Sequence, residues 1–192
     1  MLQSRYLTEE DLADFGFKAL GRNVRISSDA RIYGPENISI GNNVRIDDFT
    51  ILAAIGGWIT LGDYVFLARN THLSAALGIE MRDFSGTAGN VIIYSSSDDY
   101  SGESLTAQAV PKEYTRQTGG PVIVGRHVLL GAATTVIGPC DIGEGCSVGS
   151  MSLVRDDLPP WGIYAGIPAR RLKERSRKLL ALETRLVRQK GG

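Results

Sequence analysis

The sequence predicts an all-β fold, a parallel β-helix of hexapeptide repeats, and three observations predict it. Between Val124 and Val154 an aliphatic residue returns at every sixth position: Val124, Leu130, Val136, Ile142, Val148 and Val154. Glycine follows four of these, at Gly125, Gly131, Gly143 and Gly149, and the fourth residue after each aliphatic is small or slim: Val128, Thr134, Cys140, Cys146 and Ser152. A period of six suits neither an amphipathic helix nor a long-stranded hairpin, but it suits short strands joined by repeated tight turns. Three such sides close one coil, and coils stack about 4.8 Å apart through backbone hydrogen bonds, with the aliphatics as a central column.

The elements follow in order. One domain is expected, with residues 1–19 as an N-terminal cap, 20–93 and 122–154 as coils, 94–121 as an excursion loop and 155–192 as a closing segment and helix. Thr8-Glu9-Glu10-Asp11, then Leu12, Phe15 and Gly16, reads as a short capped helix with a glycine stop, placed to plug the open end of the column. Looser repeats precede the strict run: Leu20, Ile26, Ile32; Ile40, Ile46, Leu52; Leu61, Leu67, Leu73; Met81, Thr87, Ile93. Extra residues fall between these sets at Gly34-Pro35-Glu36-Asn37, Ile55-Gly56-Gly57-Trp58 and Ala75-Ala76-Leu77-Gly78, which predicts one bulging corner. From Tyr94 to Pro121 the period lapses, and a loop this long in a compact domain is a functional candidate; Tyr94, Tyr100 and Tyr114 point to a docked arm. Residues from about Pro168 to Lys190 read as a basic amphipathic helix striped by Leu172, Leu179, Leu182 and Leu186.

The strict run, together with the ending Tyr164-Ala165-Gly166-Ile167-Pro168-Ala169, resembles the hexapeptide-repeat acyltransferases, of the galactoside and xenobiotic acetyltransferase type. The resemblance implies a left-handed helix, a handedness that the periodicity itself does not give. It also implies an acetyl-CoA-dependent enzyme that acetylates a hydroxyl or amine of a sugar, as in surface polysaccharide pathways. On the matching positions it implies that Ala132, Ser150, Arg155, Arg170 and Lys173 contact acetyl-CoA, the two last as partners for phosphate.

Composition leaves a small molecule or a protein as the default partner. Lys and Arg number 21 and Asp and Glu number 21 in 192 residues, so no electrostatic footprint for nucleic acid exists. No apolar run approaches a membrane span, and the N-terminal stretch has no signal-peptide core, which predicts a cytoplasmic protein. Cys140 and Cys146 fill the small-residue slot and read as reduced core thiols.

Acyl transfer from a thioester needs a base, an oxyanion donor and two aligned binding sites. Of the two histidines, His127 reads as an exposed corner residue, whereas His72 points outward beneath the root of the long loop and is the candidate general base, an ordinary surface histidine being the bland reading. Galactoside-type relatives carry the base in the loop; here the loop reads Ser95-Ser96-Ser97-Asp98-Asp99-Tyr100, without histidine. Asp98 or Asp99 is therefore the alternative base, or the orienter of the imidazole, and Ser95, Ser97 and Tyr100 are candidates for binding sugar hydroxyls. Flat apolar sides and the long loop predict a homotrimer with active sites between subunits. The alternatives are a metal enzyme of the γ-carbonic anhydrase type, which needs three imidazoles, and a non-catalytic scaffold; no metal is expected.

Overall fold

The computed structural model describes residues 5–106 and 109–190. Short strands stack into three parallel sheets, the faces of a triangular, left-handed column. The first face stacks Ala19–Leu20, Ile38–Ile40, Ile59–Leu61, Ile79–Met81, Val122–Val124 and Cys140–Ile142. The second face begins Arg25–Ile26, Arg45–Ile46, Phe66–Leu67, Gly86–Thr87, Leu129–Leu130 and Ser147–Val148. The third stacks Arg31–Tyr33, Ile51–Ala53, His72–Ser74, Ile92–Tyr94, Thr135–Ile137 and Leu153–Val154.

Pairing is in register, so like residues lie over like. Leu61 sits between Ile40 and Met81, and Leu73 between Leu52 and Ile93, all essentially without exposure. Each such side chain contributes about 1.5–3 kcal/mol by leaving water. Thr87 takes an inward slot, and its hydroxyl meets that of Thr71 at 2.8 Å and accepts from the Ala68 N–H, so the polar group is satisfied. Both cysteines are buried thiols; burial, with Asp157 and Asp141 adding, pushes Cys140 up to about 12.

The corner between the first and second faces turns through left-handed backbone at Asn23, Asn43, Tyr64, Phe84, His127 and Gly145. Bulky residues rarely adopt it. Here they stack on one another: Tyr64 on Phe84 at 4.6 Å and Phe84 on His127 at 5.2 Å between centroids. At Gly145 a Cβ would come within 2.5 Å of the Trp161 ring, so only glycine lets the tryptophan close the stack.

The three inserts all fall between the third and first faces, as the spacing predicts. The long loop leaves from that corner too, and it is more ordered than its sequence suggests: Ser96–Asp98 pairs antiparallel with Gln117–Gly119. At the N-terminus, Thr8 caps the helix Glu9–Asp14 in a reciprocal capping box with Asp11, and Gly16 follows at φ 74°. Leu12 plugs the column, yet Leu20, an expected core residue, stays 38% exposed because the helix covers only part of the first coil.

The C-terminus corrects the expected helix. Gly162–Ala165 adds to the second face parallel to Ser147–Val148; the chain then reverses at Gly166, φ 106°, and Arg170–Glu174 returns antiparallel. Only Leu179–Lys190 is helical. The Gly-Ile-Pro turn sets Arg170–Glu174 against a free sheet edge, where backbone pairing outweighs the helical preference of those residues.

Candidate active site

On the strand His72–Ser74, Leu73 faces the core, so His72 and Ser74 face outward. His72 lies between Ile51 and Ile92 in the stack, half-buried, with the Tyr94 ring edge-on at 5.8 Å. No hydrogen bond ties its ring among the described residues. Burial pushes its pKa below that of a free imidazole, so at neutral pH the ring is uncharged and able to accept a proton.

Beside this surface the hairpin and the third face enclose a cleft of about 360 Å³ bordered by Ser74, Tyr94, Ser97, Asp98, Gln117 and Ile137. A second hollow of about 320 Å³ lies under the hairpin, and Asp98 borders both. His72 adjoins the first cleft through Tyr94 rather than lining it. Tyr100 stands at the rim, 94% exposed. The Ser97 hydroxyl donates to the Asp98 carbonyl at 3.3 Å.

The neighbouring carboxylates differ sharply. Asp99 is nearly buried, and accepts from the Ser101 N–H at 2.8 Å and the Ser104 hydroxyl at 3.0 Å. The Ser101 hydroxyl and N–H, with Ser104 assisting, hold its pKa down at about 2. So weak a base takes no proton from an amine near neutrality; its geometry is that of a loop organiser. Ser95 is also closed off. Its hydroxyl accepts from the Leu77 N–H at 2.8 Å and donates to the Ser74 carbonyl, while its own carbonyl accepts from Gly120, so it anchors the hairpin root.

Ala132 and Ser150 stack one coil apart at the corner between the second and third faces, where the Met151 N–H donates to the Ala132 carbonyl at 2.8 Å. Arg155 follows the last strand of the third face and is exposed. Arg170 and Lys173 lie on the returning strand, exposed, with Arg170 3.7 Å from Asp156. The five residues thus lie on the last coils of the column, Ala132 and Ser150 at one corner, Arg155 beyond the third face, and Arg170 and Lys173 on the edge strand of the second.

His127 departs from expectation: it is 7% exposed, not a free corner residue. Its Nε2 meets Glu183 of the C-terminal helix at 2.9 Å, Arg126 also pairs with Glu183, and Arg175 donates to the His127 carbonyl. Among the described residues no three His, Cys, Asp or Glu side chains cluster as metal ligands. No helix among them is long and apolar enough to cross a membrane. Ser74 and Gln117 border the cleft without having stood out in the sequence; Ser74 carried a usable signal, since it shares one register position with Tyr94 on the next coil, whereas Gln117 comes in only through the hairpin pairing with Asp98.

No family model matches the chain. It is 41% identical, over 179 residues and 93% of each chain, to the dTDP-4-amino-4,6-dideoxy-D-glucose acyltransferase of Escherichia coli. Among solved structures, AntD, an N-acyltransferase from Bacillus cereus in complex with dTDP and 3-hydroxybutyryl-CoA, matches with a TM-score of 0.94 and 41% identity over 99% of this chain and all of that one. A maltose O-acetyltransferase from Clostridium difficile 630, 21% identical over 92% of this chain and 80% of its own, shares the fold at a TM-score of 0.65.

Proposed function

The chain belongs to the hexapeptide-repeat sugar acyltransferases, and from that premise we propose that it carries an acyl group from acetyl-CoA or a close acyl-CoA to the amine of a dTDP-linked 4-amino-4,6-dideoxy sugar, as a cytoplasmic homotrimer. The observation that carries this reading is the full-length likeness, hairpin included, to two acyltransferases tied by name or bound ligand to dTDP and its amino sugar.

In the reaction the amine nitrogen attacks the thioester carbonyl. A base takes the proton the nitrogen sheds, the C–S bond breaks, and the departing sulfur is protonated. His72 is our candidate base, being uncharged, unbonded and next to the cleft. Asp98, open to both hollows, is the alternative or the group that orients substrate, with Ser97 and Tyr100 toward the sugar. Ala132, Ser150, Arg155, Arg170 and Lys173 are proposed to hold the CoA, through corner backbone groups and three exposed cations. The trimer is supported by the hairpin arm, whose Tyr100, Leu105 and Tyr114 find no cover on their own column.

The test follows free-thiol release with acetyl-CoA and dTDP-4-amino-4,6-dideoxyglucose against dTDP-glucose, which lacks the amine. Release with the amino sugar alone is expected. Equal release with both, or with neither, would overturn the reading. Sedimentation of a fully active monomer would remove the trimer.

A further inference from the structure

One inward slot at the end of the third face changes its chemistry at a single level. On successive coils it holds Gly34, Ala54, Ala75, Ser95 and Gly138, and of these Ser95 alone has a polar side chain. Packing does not call for the hydroxyl, because Ala54 and Ala75 fill the same slot with no more exposure than Ser95. The hydroxyl is nevertheless bonded on both sides. It accepts from the Leu77 N–H at 2.8 Å, in the insert one coil below, and donates to the Ser74 carbonyl at 3.2 Å. The Ser95 N–H donates to that same carbonyl at 3.0 Å, and the Ser95 carbonyl accepts from the Gly120 N–H at 2.9 Å. Serine therefore replaces alanine at the level where the chain leaves the column, since the outgoing hairpin strand Ser96–Asp98 begins at the next residue.

The root is tight on its other side as well. A Cβ at Gly119, φ 137°, would lie 2.4 Å from the Ser95 carbonyl oxygen, and one at Gly138 would lie 2.4 Å from the Gly120 oxygen. Among the described residues Ser96–Asp98 pairs with the return strand of its own hairpin and not with the column, so its angle is set at the root. Asp98 stands three residues out, about 10 Å at the usual strand rise. A tilt of about 10° at Ser95 would carry its carboxylate about 1.7 Å, and a displacement of about 1 Å can cost a reaction about 10²-fold. We infer that Ser95 is a positioning residue for the transfer reaction: its hydroxyl clamps the hairpin root to Leu77 and Ser74 and so fixes where Asp98 meets the cleft beside His72. The inference rests on the reading of Asp98 above as a group that acts at the substrate.

The test is a double-mutant cycle on the full chain, with turnover of acetyl-CoA and dTDP-4-amino-4,6-dideoxyglucose measured for wild type, Ser95→Ala, Asp98→Asn and the pair. Alanine already fills this slot at Ala54 and Ala75, so Ser95→Ala should fold. It should lower kcat about tenfold while the KM for acetyl-CoA stays within about twofold. In the Asp98→Asn background the same substitution should cost less than about twofold, because the group it positions is already lost. Losses that multiply in the pair would mean that Ser95 serves the fold at large, and would overturn the inference. Full turnover in Ser95→Ala beside a loss in Asp98→Asn would sink the positioning role alone. Full turnover in Asp98→Asn would sink the reading of Asp98, and the positioning role with it. A wild-type chain with no turnover of this substrate pair would remove the amino-sugar reading and everything built on it.

Discussion

The surroundings of His72 and of His127 are built from the same repeat, yet they end in opposite states. Burial lowers the pKa of both imidazoles. Around His127 the ring Nε2 meets Glu183, the carbonyl accepts from Arg175, and the ring face stacks on Phe84. Around His72 no hydrogen bond holds the ring among the described residues, and the Tyr94 edge lies at 5.8 Å. Repeat position does not separate the two. What separates them is the element laid over each surface: the C-terminal helix brings Glu183 onto one ring, and the hairpin stands beside the other without bonding to it.

The sharpest way to break this contrast is to exchange the two outcomes. We predict that His72→Ala lowers kcat by about 10²–10⁴, the contribution of a positioned base, with CoA affinity nearly unchanged. His127→Ala should leave kcat within about twofold and instead lower the melting temperature by about 3–8 °C, since Glu183 loses a nearly buried partner. Full turnover in His72→Ala, with loss in Asp98→Asn, would move the base into the hairpin.

A second comparison sets the hairpin carboxylates against each other. Asp98→Asn should act on kcat, by about tenfold or more, whereas Asp99→Asn should loosen the Ser101–Ser104 turn and raise the KM of the sugar nucleotide with little effect on kcat. Equal kcat losses from both would mean that the bonds around Asp99 do not set it apart. Smaller again is the effect of Arg170→Ala with Lys173→Ala. Each exposed contact contributes about 0.7 kcal/mol or less, so losing both should raise the KM for acetyl-CoA by up to about tenfold with the melting temperature unmoved; an unchanged KM would put the phosphate elsewhere.

The smallest effect is in pH. Because only uncharged His72 accepts a proton and burial depresses its pKa, kcat should rise with pH through a midpoint below about 6.5 and then level off. The same sign acts on stability at His127. Its depressed folded pKa means that the unfolded chain binds the proton more readily, so stability falls as pH drops below about 6.5. His127→Gln should flatten that slope in melting curves, and an unaltered slope would assign it to other groups.

Much of this was legible in sequence. The six-residue period carried the column, because inward packing repeats it without exception from Val124 to Val154. The inserts located the swollen corner, and Thr8 with Asp11 gave the cap. The site was less legible, for identifiable reasons. Asp98 and Asp99 are alike in sequence and part only through hydrogen bonds to Ser101 and Ser104. Ser95 turns inward because it continues the alternation of Ile93 and Tyr94 and takes the buried slot of Ala75 and Ala54 on the preceding coils, a placement hidden by the lapse of the six-residue period. Glu183, which closes over His127, lies 56 residues away on a helix whose start was set eleven residues too early by a stripe beginning at Leu172. Long-range closure of this kind leaves no periodic trace.

The corner stack has one more consequence. Equivalent corner positions such as Arg69, Gly89, Ala132 and Ser150 recur only once per coil, so the separation between side chains along the corner is quantised in steps of about 4.8 Å. Point substitutions at the corner leave that span untouched. Deleting or duplicating one whole coil changes it by one step, which gives the fold a ruler for the spacing of its corner side chains.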